Sequence, residues 1–227
     1  MFKFLRSLLS KGQPQPEHYL PAVQQAPTEI VVEGMLPLVL TKHLNWHNGF
    51  PIPNWSAIYS WLDTITEESK KRTAYRDCER AWLLHFAAAL GADCRLSESE
   101  NAMVLSSAEP NVVKAKLAFM ERTLKSISSM LNGLAEIPVD GKDVLIVFDE
   151  QDDYYRYVFC YYPEDGEFAQ SSGMYISAGC CHFVTVKGDL TQMEPTIVHE
   201  MTHACLAHLH LLPRWVDEGL AVNVEKN

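Results

Sequence analysis

The chain has 227 residues, with 47% apolar and 21% charged side chains and a formal net charge of −10. A chain of this length can bury roughly 70% of its unfolded surface, enough for a substantial core. Its acidic balance argues against nucleic acid and anionic membrane surfaces as principal partners, and no apolar run approaches the ~18 residues of a transmembrane segment.

Met1 to Lys11 sets Phe2, Phe4, Leu5, Leu8 and Leu9 among Lys3, Arg6 and Lys11. It lacks the longer apolar region and small-residue cleavage site of a secretory signal, and a helix this short holds a membrane surface only weakly. The expectation is a cytoplasmic protein whose six cysteines, Cys78, Cys94, Cys160, Cys180, Cys181 and Cys205, are reduced. Cys180 and Cys181 are adjacent, and neighbouring strand residues point to opposite faces, so they are not expected to act as a pair. Residues 12–29, rich in Pro and Gln, read as an extended linker, which makes 1–29 an N-terminal segment. Residues 30–53 scatter prolines among apolar residues and read as irregular. Helical patterns follow from Asn54 to Asp63 and from Glu67 to Leu90, the second closed by Gly91. Residues 30–100 are thus expected to form a mainly helical N-terminal region, with Trp55, Tyr59, Trp61 and Trp82 in its core.

From about residue 101 strands alternate with helices. The pattern predicts a strand over Ala102–Ser106, a long amphipathic helix over Pro110–Ala135, a buried strand over Val144–Phe148 and a helix over Asp149–Tyr161. Two more strands, Met174–Ser177 and His182–Val186, are joined close to a hairpin through Ala178 and Gly179.

The last predicted helix carries the chemistry. It reads His199-Glu200-Met201-Thr202-His203 within an apolar stripe of Ile197, Val198, Met201, Ala204, Leu206 and Ala207. Pro195 suits its first turn, and Pro213 stops it after Leu212. Residues at i and i+4 share a helix face, so both imidazoles can bind one metal ion while Glu200 projects beside it. A second short helical run follows, Trp215-Val216-Asp217-Glu218-Gly219-Leu220-Ala221, and a tight turn would bring Glu218 back as a third ligand.

Other third ligands fare worse. The glycine and histidine that continue the motif in metzincins are replaced by Leu206 and Leu209. His210 lies about 10 Å further along the helix axis. Cys205 points to another face and reads as a small buried hydrophobe, His208 as a solvated or capping residue. Asp217 faces away from Glu218 and reads as a surface charge or as a group behind the ligands.

The pairing of His199-Glu200-x-x-His203 with Trp215-x-x-Glu218-Gly219-x-Ala221 resembles the gluzincin metallopeptidases, thermolysin-like zinc enzymes whose third ligand is a glutamate on the next helix. The resemblance covers roughly residues 101–227. It implies an α+β, zincin-like catalytic domain, with a small mixed sheet, an active-site helix and a glutamate helix. It also implies one Zn2+ per chain on His199, His203 and Glu218, with Glu200 as general base and Gly173–Ile176 as the edge strand beside the cleft. Many gluzincins place an aspartate four residues after the glutamate ligand to orient a histidine. This chain has Val222 there, so that acceptor must come from elsewhere.

The expected activity is hydrolysis of peptide bonds in a peptide or protein substrate by metal-activated water. The rival expectation is a catalytically degenerate zinc-binding module acting in protein interaction. An oxyanion donor is also needed, and Tyr175 and His182 are the upstream candidates.

Overall fold

The computed structural model describes residues 24–162, 173–209 and 212–226. The readings of Met1–Lys11, of the first part of the linker and of His210 lie outside the described residues.

The segment expected to be irregular forms a hairpin instead. After a 3-10 turn at Leu40–His43 come β1 (Leu44–His47) and β2 (Phe50–Pro53), paired antiparallel with His47 opposite Phe50. The turn is Asn48-Gly49, both at positive φ (51° and 87°), which matches the right-handed twist of the flanking strands. The prolines of β2 obscure the strand pattern, but Pro51 still offers a carbonyl, which accepts a 2.9 Å hydrogen bond from Trp82 Nε1.

Helix α1 (Trp55–Leu62) starts at Asn54, whose side chain accepts from the Ala57 N–H. Helix α2 (Glu68–Leu90) buries Ala74, Cys78, Ala81, Trp82 and Phe86 along one stripe and ends at Gly91 with φ of 120°. Both helices fall close to the predicted bounds. Trp55 and Trp82 are buried as expected, whereas Tyr59 is exposed at its rim.

A strand the sequence pattern does not announce, β3 (Arg95–Glu98), precedes β4 (Ala102–Ser106). Helix α3 (Pro110–Met130), β5 (Asp143–Phe148), α4 (Gln151–Val158), β6 (Gly173–Ile176), β7 (His182–Val186), α5 (Glu194–Leu206) and α6 (Arg214–Glu225) complete the order. The five strands form one sheet in the order β3-β4-β5-β7-β6. β4, β5 and β7 run parallel, and the edge strands β3 and β6 pair antiparallel. The chain is therefore α+β. Residue 101 falls in the turn between two paired strands, so residues on either side of it share one sheet.

Three predicted helices are shorter than their patterns. α3 stops at Met130 because the chain turns through Gly133 at φ of 82°. α4 passes into turns before Tyr161, and α5 ends at Leu206 rather than Leu212.

Both faces of the sheet are covered, which explains the unbroken apolar runs of β4 and β5. Met103, Leu105, Val144, Ile146, Phe148 and Val184 pack with Trp82, Phe86 and Tyr157 on the side of α2 and α4. Val104, Leu145, Val147 and Phe183 pack with Met120, Leu124, Ile197 and Met201 on the side of α3 and α5. The end of the predicted linker is fastened to the β3 edge: the Gln24 amide donates to Leu96 O at 2.8 Å and accepts from Leu96 N at 2.9 Å. All six cysteines are free thiols, with Cys180 buried and Cys181 exposed. No helix among the described residues is long and apolar enough to cross a membrane.

Glu79 is the buried acid of this core. Cys180 Sγ donates to its Oε1 at 3.4 Å and Lys142 N to its Oε2 at 3.3 Å, yet burial pushes its carboxyl up to about 7. Between its ordinary 4.5 and that value the unfolded chain loses this proton while the folded protein keeps it, so the contribution of Glu79 to stability falls as pH rises. Glu79→Gln should thus gain on the parent across that window by on the order of 3 kcal/mol. Denaturant melts at a series of pH values check it. Trp82→Ala should cost about 3–5 kcal/mol in the same melts, from the cavity left and the orphaned Pro51 carbonyl.

Candidate metal centre

Helix α5 begins with Glu194 and Pro195, and Glu194 is ion-paired to the largely buried Lys116 of α3. That pair and the buried stripe Ile197, Met201 and Cys205 fix the helix against the sheet and α3. His199 and His203 lie off that stripe, on the side that meets α6. Cys205 is a buried hydrophobe, as expected.

The two imidazoles and Glu218 converge. His199 Nε2 and His203 Nε2 are 3.1 Å apart. Glu218 Oε2 lies 3.5 Å from the first and 3.8 Å from the second. All three residues are half-buried, and together they could hold a metal ion. Bonds of 2.0–2.1 Å in tetrahedral geometry place neighbouring ligand atoms about 3.3 Å apart, which the observed triangle approaches without rearrangement of the backbone.

The groups behind the imidazoles decide their tautomers. His199 Nδ1 lies 3.1 Å from Glu225 Oε2 and His203 Nδ1 lies 2.9 Å from Asp217 Oδ2. The first is a hydrogen bond. The second is a close charge contact in which the ring N–H is not aimed at the oxygen, leaving His203 Nδ1 and Asp217 Oδ1 without a hydrogen-bond partner. A proton on each Nδ1 suits both carboxylates, and it leaves both Nε2 atoms as bare lone pairs. Two lone pairs and a carboxylate oxygen so close together repel unless a cation or an added proton lies between them. The His199–Glu225 bond has the form of the acceptor–histidine half of a carboxylate–histidine–metal unit, in which the acceptor orients the ring, and Asp217 places a second carboxylate beside His203.

Asp217, read from the sequence as a surface charge or a group behind the ligands, takes the second of these roles. Glu225 takes the role expected of position 222. Its signal in the sequence is its spacing alone: it lies seven residues, two helical turns, after Glu218 and so shares its face of α6.

Glu200 is half-buried on α5, on the flank shared by Ala204 and Ala207 at i+4 and i+7. Burial raises its carboxyl above the usual range, and the imidazoles of His203 and His199 oppose the rise. Tyr175 on β6 lies in the field of Glu200, with burial and a side-chain contact to Cys181 holding its phenol protonated.

His182 is not an oxyanion donor. It is fully buried on the other face of the sheet, where Nδ1 donates to Cys180 O at 2.7 Å and Nε2 accepts from the Tyr157 hydroxyl at 2.8 Å. Burial pushes it down to about 4, which leaves a neutral ring packed edge-on to Trp82. β6 is an edge strand of the sheet and runs against α5, as expected for Gly173–Ile176. A Cβ at Gly173 would overlap the buried Met193 side chain just before α5, which would then have to shift.

Comparison with known proteins finds no matching family model and no matching curated relative. Glu218→Ala should remove most metal binding. Asp217→Asn and Glu225→Gln should each weaken it about 10–100-fold while leaving the fold intact. Competition with a chelator of known affinity measures all three, and unchanged affinity in the last two would mean that the carboxylates do not orient the rings.

Proposed function

We propose that this chain is a zinc-dependent metallopeptidase of gluzincin type, with a zincin-like catalytic domain. The observation that carries the reading is the convergence of His199 Nε2, His203 Nε2 and Glu218 Oε2, each ring backed by a carboxylate, with Glu200 beside them. Two nitrogens and one oxygen leave a fourth position open, as a catalytic rather than a structural site requires. The same donor types also suit ferrous iron. The basic group beside the ion, Glu200, favours the hydrolytic reading.

Zinc held there would supply a Lewis acid and would lower the pKa of water toward neutrality. The residues of the chain do the rest. Glu200 takes the proton of an attacking water at its carboxylate and returns it to the departing amine, and its raised affinity for protons suits both halves of that exchange. Asp217 and Glu225 keep the imidazoles turned toward Glu218. Tyr175 is the candidate donor to the developing oxyanion, because its phenol keeps its proton and lies within electrostatic range of Glu200. Among the described residues no strand pairs with the outer edge of β6, and that edge offers backbone groups to which an extended peptide can add as a further strand.

The full chain should bind about one zinc ion and hydrolyse peptides from a mixed fluorogenic set. Glu200→Gln should keep the zinc and lose about 10²–10⁴ of the rate. Zinc content and turnover measured on the same samples test this. Full activity in the variant would remove Glu200 from its role, and absence of bound metal would remove the whole reading.

A further inference from the structure

A cavity of about 610 Å³ opens beside the end of α5, against Ala204 and Ala207, which follow Glu200 by one and two turns. Ala204 and Ala207 form one wall and Tyr175 another, and the N-terminal ends of β4 and β5 lie at its base with Asn101 and Asp143. Ala204 is one turn from Glu200, about 6 Å along the axis, so a side chain next to the reacting bond is of the right length to enter.

The charges in this cavity do not balance. Its three basic residues are committed: Lys71 pairs with Asp63 at 2.7 Å, Arg72 with Asp140 at 3.3 Å, and Lys142 with Glu98 at 3.0 Å. Asp143 is committed to nothing. Among the described residues no donor bonds its carboxylate and no cation pairs with it, and the charge that acts on it is that of Glu121, which is of the same sign. It continues the parity of Leu145 and Val147 on β5 and so points to the α3 and α5 side, beneath the end of the metal helix. What exposure it has is to the cavity. Burial pushes its carboxyl up to about 7, so the cavity by itself favours the protonated acid, and a cation that entered would draw Asp143 back to its charged form. Glu79 adds a second acid at the far wall, and Tyr59, Tyr75 and Tyr175 present aromatic surface that suits a cation on an alkyl stem.

We infer that this cavity is a specificity pocket for a lysine or arginine side chain of the substrate, next to the bond that is cut, with Asp143 as its counter-ion. The inference rests on the peptidase reading of the metal centre, and two measurements keep the two apart. The first is binding of butylguanidine and butylamine to the full chain, followed by ligand-observed NMR at millimolar concentration, which needs no turnover. Both should bind, Asp143→Asn should lose at least tenfold in affinity while melting no lower than the parent, and Asp143→Glu should restore most of it. No binding to the parent, or equal binding to Asp143→Asn, overturns the pocket whatever the enzyme does.

The second is cleavage of matched peptides with Lys, Arg, Leu or Glu flanking the scissile bond. A preference of tenfold or more for Lys and Arg in kcat/KM, lost in Asp143→Asn with cleavage of the Leu peptide unchanged, supports the assignment. Cleavage without that preference overturns it and leaves the peptidase standing. Cleavage of none of the peptides by zinc-loaded protein sinks the peptidase reading, and the substrate role with it.

Discussion

Three electron-rich atoms are held within a few ångströms of one another where two helices cross, and the rest of the site is arranged around that repulsion. His199 and His203 have their Nδ1 sides turned to Glu225 and Asp217, so neither ring can relieve the crowding by presenting a neutral Nε2–H without facing a carboxylate with a bare nitrogen. Positive charge at the centre relieves this crowding, as does an Nε2–H of one ring donating to the other. A surface on which two histidines happened to lie near a glutamate would have no reason to place an acid behind each ring as well.

The scaffold supplies rigidity where this geometry needs it. α5 is fixed at its start by the Lys116–Glu194 pair and along its length by Ile197, Met201 and Cys205 against α3 and the sheet. The sheet is in turn buried on its other face by α2 and α4, around Trp82, Phe86 and Tyr157. The neutral, doubly hydrogen-bonded His182 belongs to that second layer. It shows how one residue type serves the two faces differently: fully buried it is a polar strut, and at the α5–α6 crossing it is one of three groups that could hold a metal ion.

Much of this was legible because periodicity carries it. The His199 and His203 spacing, the apolar stripe of α5, the paired-face burial of β5 and the two N-terminal helices all follow from repeat lengths of 3.6 and 2. The β1–β2 hairpin was obscured because Pro51 and Pro53 read as breakers, although Asn48-Gly49 is a strong turn signal. β3 is only four residues long and half-exposed, too short for alternation to stand out. Glu225 and Asp143 are isolated acids in the sequence. Their importance arises from what lies across from them, Nδ1 of His199 in one case and an unmatched cavity in the other, and no local pattern encodes a tertiary neighbour.

Helix α6 brings few apolar anchors to the fold: of its twelve residues only Ala221 and Val224 are buried. Yet it delivers Asp217, Glu218 and Glu225, the whole acidic half of the centre. An ion bound at this centre would link its occupancy to the attachment of α6, acting as a clasp between two segments that chelation would loosen. Residues Arg214–Glu225 would then report on metal supply through their own exposure to proteolysis and amide exchange.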